Sequence, residues 1–170
     1  MKLLFLLYRF SVPLHAISQS KIEKFEPMNF FTGKWEGRET GRSGIGKEFR
    51  TYRFILDSNY TCRNNKSVFD PKDANPEGAA HEDWGILGHN SFVNKFKMRD
   101  FHSEGYINSY LLENISDNST KNEFNSYNLE NVPEGWKARI TLEKIDEDTI
   151  EETFDRAQTG KDYVTHLENT

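Results

Sequence analysis

The chain of 170 residues carries a net charge of −5, with 29% charged and 35% hydrophobic residues, a length that suits one domain rather than two. Its 14% aromatic content argues against an unfolded chain, because rings carry the largest buried area per residue and disordered segments are poor in them. The acidic balance opposes nucleic acid as a partner, which needs clustered Lys and Arg, and the single Cys62 excludes an internal disulfide or a multi-cysteine zinc site.

Residues 1–18, MKLLFLLYRFSVPLHAIS, read as a signal peptide. Lys2 is a minimal positive start and Leu3 to Tyr8 an unbroken apolar run. Ala16 and Ser18 are small residues at the −3 and −1 positions of a cleavage site before Gln19. On this reading the protein is exported, to the periplasm or beyond. Arg9 interrupts the apolar run, so the alternative is an uncleaved leader on a cytoplasmic protein. The run is too short to span a bilayer.

Residues 19–170 form the remaining domain. Pro27 to Phe31 is a short helical candidate, with proline at a first-turn position. After it no helical periodicity is sustained, and short runs recur every eight to twelve residues. The predicted strands are 33–40, 46–56, 59–69, 80–88, 91–100, 105–114, 121–129, 135–144, 148–155 and 161–168. Their connections are rich in Gly, Asn and acidic residues, as at Gly88-His89-Asn90 and Pro133-Glu134-Gly135, and one long loop runs from Asp70 to Gly78. Consecutive hairpins make a meander, and a ten-strand meander escapes exposed edges by closing. The expected fold class is all-β: one closed antiparallel up-and-down barrel of about ten strands with a short N-terminal helix. Alternation places Trp136, Ala138, Ile140 and Leu142 inside, together with Phe92, Phe96 and Met98.

The run Phe30-Phe31-Thr32-Gly33-Lys34-Trp35-Glu36-Gly37 resembles the opening Gly-x-Trp signature of the calycins, the lipocalin and fatty-acid-binding-protein barrels. That resemblance implies a Trp35 that closes one barrel end after a short helix. Gly33-x-Trp35-x-Gly37-x-x-x-Gly41 also resembles the start of nitrobindin-type haem-binding barrels. The runs from Arg99 to Tyr110, Pro133 to Arg139 and Thr149 to Phe154 are similar to uncharacterised bacterial calycin-like proteins. The Pro-Thr-Ile loop of the nitrobindin pattern is missing from Gly41-Arg42-Ser43-Gly44-Ile45. His166 is the candidate axial ligand that this second resemblance implies.

The run Arg99 to Tyr110 concentrates guanidinium, imidazole, carboxylate, amide and phenol groups in twelve positions. His102 titrates near neutral pH and Glu104 is two residues on, so the pair suits proton transfer or the bracing of the turn at Gly105. Asn108 and Tyr110 share a face and offer hydrogen bonds to a ligand if that face is inward. Arg99 supplies a cation for a carboxylate ligand, although alternation with Lys95 and Lys97 points it outward; Arg53 is a second such cation. Glu39 and Glu152 each share a face with large apolar residues, and an inward carboxylate needs a partner. His81, Glu82 and Asp83 lack a recognised metal spacing, and no metal site is assigned.

The expected function is the binding of a small hydrophobic or amphipathic ligand with a polar or acidic end inside the barrel. Its site is Trp35, Phe96, Met98, Arg99, His102, Glu104, Asn108 and Tyr110. The alternatives are a small barrel enzyme that uses His102 and Glu104, or a haem barrel with His166; otherwise no cofactor is expected. The oligomeric state is open. Protein purified from its own host is predicted to begin at or near Gln19, and an intact mass that includes Met1 overturns the export reading.

Overall fold

The computed structural model describes residues 23–41, 44–72, 75–116 and 119–170. The expected leader lies outside them. Ten strands follow one short helix, α1 (Glu26–Asn29): β1 (Gly33–Gly41), β2 (Gly44–Ile55), β3 (Tyr60–Phe69), β4 (Ala79–Asn90), β5 (Lys95–His102), β6 (Ile107–Ile115), β7 (Lys121–Glu130), β8 (Trp136–Lys144), β9 (Ile150–Gln158) and β10 (Val164–Asn169). Each pairs antiparallel with its chain neighbours, and β1 pairs with β10, so the sheet closes as an up-and-down barrel. Closure pairs both outer strands of the meander with each other. No described helix is long and apolar enough to cross a membrane.

α1 stops one barrel end. Pro27 lies in its first turn, where the missing N–H is no loss. Phe25 packs against Phe54 and Phe96, with ring centroids 5.6 and 5.4 Å apart. The Asn122 amide donates to the Pro27 carbonyl at 3.2 Å. Phe31, Leu87, Met98, Leu112, Phe124, Ile140 and Leu142 complete an apolar half-core beneath this plug. Trp35 stands at the same end, its indole N–H donating to the Phe31 carbonyl at 2.8 Å and its ring against Phe30.

The glycines of the opening motif act at the closing seam. A Cβ at Gly37 would lie 2.5 Å from the Thr170 carbonyl oxygen, and one at Gly41 2.5 Å from that of His166. Both lack a side chain because the last strand runs hard against them. Only Glu39, Thr40 and Gly41 pair with β10 in register. Towards the plug, a cleft of about 190 Å³ opens between Trp35 and Gly37 on one side and Ile150 and Glu152 on the other, with Glu48 and Arg50 in its lining.

One inward assignment is corrected. Phe92 is fully exposed, because β4 runs on through Gly88-His89-Asn90 and the chain turns at Ser91–Asn94 instead. The Asn90 side chain accepts the Phe92 N–H at 3.1 Å, and Asn94 adopts a left-handed φ of 50° that Asn tolerates. Strand β5 therefore starts four residues later than the pattern predicts. Ala138, Ile140, Leu142, Phe96 and Met98 are buried as expected, and Trp136 is half-buried.

Ile140→Ala is expected to lower unfolding free energy by about 2–5 kcal/mol through the cavity it leaves. Phe92→Ala should change it by less than about 0.5 kcal/mol. Denaturant titration of both variants checks this, and equal losses would contradict the placement of the β4–β5 turn.

Candidate functional site

Strand register stacks the inward residues of β1–β5 in rings. One ring reads Trp35, Arg50, Asn65, Asp83, His102, and the next towards the open end reads Gly37, Glu48, Ser67, His81. Towards the plug lies Tyr52, Arg63, Gly85, Asp100, Asn108. Over these three rings the inner face of the strands is largely polar. Their outer face carries Phe49, Val68, Trp84, Ile86 and Phe101, all exposed.

Two arginines hold this polar half together. Arg63 donates to Asp100 Oδ2 at 2.7 Å, to Asp83 Oδ1 at 3.1 Å and, by its other terminal nitrogen, to Glu152 Oε2 at 3.0 Å. Arg50 pairs with Glu152 at 2.5 Å and with Glu48. Gly85 makes the first contact possible, since any Cβ there would collide with the Asp100 carboxylate. Glu39, the remaining inward acid among the described residues, accepts from Ser67 Oγ at 2.5 Å. Five inward carboxylates thus face two inward guanidiniums, while a sixth buried acid, Asp155, pairs with Arg139.

The surplus of negative charge shows in the proton affinities. Burial pushes the Glu48 carboxyl up to about 7, against the pull of Arg50. Burial likewise raises Asp100 to about 7 in spite of Arg63. Burial opposes ionisation of Asp83 too, but there Arg63 and His81 prevail and hold the group well below the usual carboxylate range. His81 is raised to about 9, first by its hydrogen bond to Asp83, with burial opposing and Glu104 adding. Burial lowers His102 to about 4.

At the open rim, His81 Nδ1 lies 2.6 Å from Glu104 Oε1, and its Nε2 lies 3.3 Å from Asp83 Oδ2. The His102 ring stacks on Tyr106 with centroids 4.1 Å apart, and its Nε2 lies 3.2 Å from the Asn108 amide nitrogen. Beside this group is a mouth pocket of about 390 Å³, whose lining includes Tyr106, Asn108, Leu129, Trp136, Phe154 and Arg156. The Arg156 guanidinium sits 5.2 Å over the Trp136 ring. Among the described residues no carboxylate pairs with it.

The structure scatters the residues anticipated from sequence. His102 and Asn108 meet at the open end, whereas no hydrogen bond joins His102 to Glu104, whose partner is His81. Tyr110 is inward but wholly buried, below the mouth. Phe96 and Met98 belong to the plugged half-core and Trp35 to that same end. Arg99 lies outside, paired with Glu130 at 2.7 Å, and Arg53 is exposed. His166 lines the mouth pocket, with its ring edge-on to Phe154 at 6.0 Å. Arg50, Arg63, Asp83, Trp136, Phe154 and Arg156 were not singled out as site residues. The available signal was the polar set Glu48, Arg50 and Tyr52 at alternate positions, which the outward Phe49 masked.

No protein-family model matches this sequence, and no curated protein matches it significantly.

A carboxyl whose folded pKa exceeds its unfolded value stabilises the fold at low pH and loses that contribution as pH rises through the folded value. Glu48 follows this rule between ordinary carboxylate pH and about 7. The stability difference between wild type and Glu48→Gln should therefore shift against wild type from pH 5 to pH 8, by at most about 3 kcal/mol. Thermal melts of both proteins across that range test it. A difference that stays flat or moves the other way refutes the assignment.

Proposed function

We propose that this chain is a calycin-like binding barrel that holds a small amphipathic molecule with an acidic end at its open mouth. The observation that carries this reading is the mouth pocket, in which the rings of Tyr106, Trp136 and Phe154 and the side chain of Leu129 stand around the Arg156 guanidinium, with Lys137 a second cation in the lining. Apolar walls with a few convergent polar groups are the usual character of small-molecule sites. The pocket also lies opposite the plugged end, with the polar cluster of Arg63 and Asp100 filling the barrel between. A ligand therefore sits in the mouth rather than threading the barrel. Asn108 contributes an amide to the same lining. The Gly-x-Trp opening and the closed ten-strand meander support the calycin likeness. The apolar run in residues 1–18 supports a place of action outside the cytoplasm.

Anilinonaphthalene sulfonate, a flat aromatic with an anionic end, is a suitable probe. The folded protein should bind it saturably at one site. Arg156→Ala is expected to weaken binding about tenfold, the equivalent of about 1.4 kcal/mol, and Trp136→Ala at least as much. Phe92→Ala, a fully exposed control, should bind as wild type does. Unchanged affinity in Arg156→Ala, with the fold intact by circular dichroism, overturns the mouth as the site.

A further inference from the structure

We infer that His81, Asp83 and His102 form a binding site for one divalent transition-metal ion at the rim of the barrel. One ligand atom from each residue lies within 4.8 Å of the other two. His81 and Asp83 are two apart on β4 and so share a face. His102 lies on β5 directly opposite Asp83 in the register. Binding at metal distances near 2.0–2.2 Å asks the two rings to draw in by roughly 1 Å.

Three features go beyond proximity. First, the ligands have the outer partners that metal-bound histidines use. His81 Nδ1 is held by Glu104 at 2.6 Å, which commits Nε2 to the Asp83 side, where it already lies 3.3 Å from Oδ2. His102 Nε2 faces the Asn108 amide nitrogen at 3.2 Å, and turning that amide over presents its oxygen to the Nε2–H of a ring bound through Nδ1. Second, His102 Nδ1 is buried without a hydrogen-bond partner, a ring nitrogen left for an ion to occupy. Third, the barrel interior carries five carboxylates against two guanidiniums, and a divalent cation offsets that surplus. Asp83 is itself oriented by Arg63 and by Asn65, whose amide donates to Oδ2 at 3.1 Å.

Two imidazoles and one carboxylate, with the remaining positions open, suit first-row ions such as iron(II), cobalt(II) or zinc rather than calcium or magnesium, which favour all-oxygen sites. The site is distinct from the mouth pocket, although Tyr106 and Asn108, which touch His102, also line that pocket, and it does not depend on the pocket holding a ligand.

Cobalt(II) provides a direct test on the full chain freed of metal by chelation. One equivalent should bind saturably and develop visible absorption with imidazole nitrogen in the ion's coordination. His102→Ala should weaken binding at least a hundredfold, and Glu104→Gln about ten- to a hundredfold through the lost orientation of His81. His89→Ala, which alters an inward histidine near the opposite end, should bind as wild type. If His102→Ala does not fold by circular dichroism, the wild-type protein still decides the matter: zinc must shift the imidazole resonances of His81 and His102 and leave His89 unmoved. The absence of saturable binding at one equivalent, wild-type affinity in a folded His102→Ala variant, or zinc shifts confined to other histidines overturns the site. Dye binding at the mouth is expected to survive His102→Ala, so the two sites fail separately.

Discussion

The fold is organised around a buried ion cluster. Arg63 joins Asp83 on β4, Asp100 on β5 and Glu152 on β9, while Arg50 joins Glu48 on its own strand to the same Glu152. Glu152 thereby ties the two guanidiniums together from the opposite wall of the barrel. Desolvated charges are tolerated only when paired and hydrogen-bonded, and removing one member strands the rest. Several local features follow from this requirement. Gly85 must lack a side chain so that Asp100 can lie over it and meet Arg63. Beside the cluster the apolar residues Phe49, Val68, Trp84 and Phe101 face outward, because the inner face there is already taken.

The barrel consequently has two unlike halves. The plugged half is an ordinary apolar core sealed by Phe25, Met28 and Phe31, and burial of this kind carries most of the stabilisation of a domain. The other half is held by polar contacts with exact partners, and it opens to solvent where His81, Glu104 and Tyr106 form the rim. The seam between β1 and β10 links the halves: tight where Gly37 and Gly41 admit the last strand, open where Trp35 faces Ile150 across the side cleft.

The architecture was legible in the sequence because hairpin turns and strand lengths are local properties. The closing of the meander followed from the need to hide its edges. The strand β8 alternation Trp136, Ala138, Ile140, Leu142 read correctly because there the apolar face is the inner one. On β2 the apolar face is not the inner one: Phe49 is exposed, whereas Glu48 and Arg50 are buried, so alternation alone does not say which face is inside. Phe92 failed for a different reason: the turn chemistry of Asn90 and Asn94 outweighed the apolar pattern. The candidate sites were the least legible part. His81 and Asp83 are separated from His102 by a full hairpin, and only the register between β4 and β5 brings them together. Trp136, Phe154 and Arg156 meet Tyr106 and Asn108 across the mouth from separate strands.

The ion cluster is not what a barrel needs in order to stand. A well-packed apolar interior of similar volume is commonly as stable as a buried ion network or more so, and the plugged half shows that this chain builds such a packing. The polar half also leaves polar atoms without hydrogen-bond partners within the protein, among them Asp100 Oδ1, Tyr110 Oη and the Nε atoms of both arginines. Unpartnered buried groups are destabilising and concentrate where a protein binds or reacts. The gradient from partnered charges at the centre to half-exposed imidazoles at the rim directs that polarity towards the mouth. The arrangement makes physical sense as a positioning scaffold: Arg63 and Asn65 fix Asp83, Glu104 fixes His81, and Asn108 stands between His102 and the mouth pocket. The apolar half supplies the stability that lets the other half carry groups chosen for what they hold rather than for how well they pack.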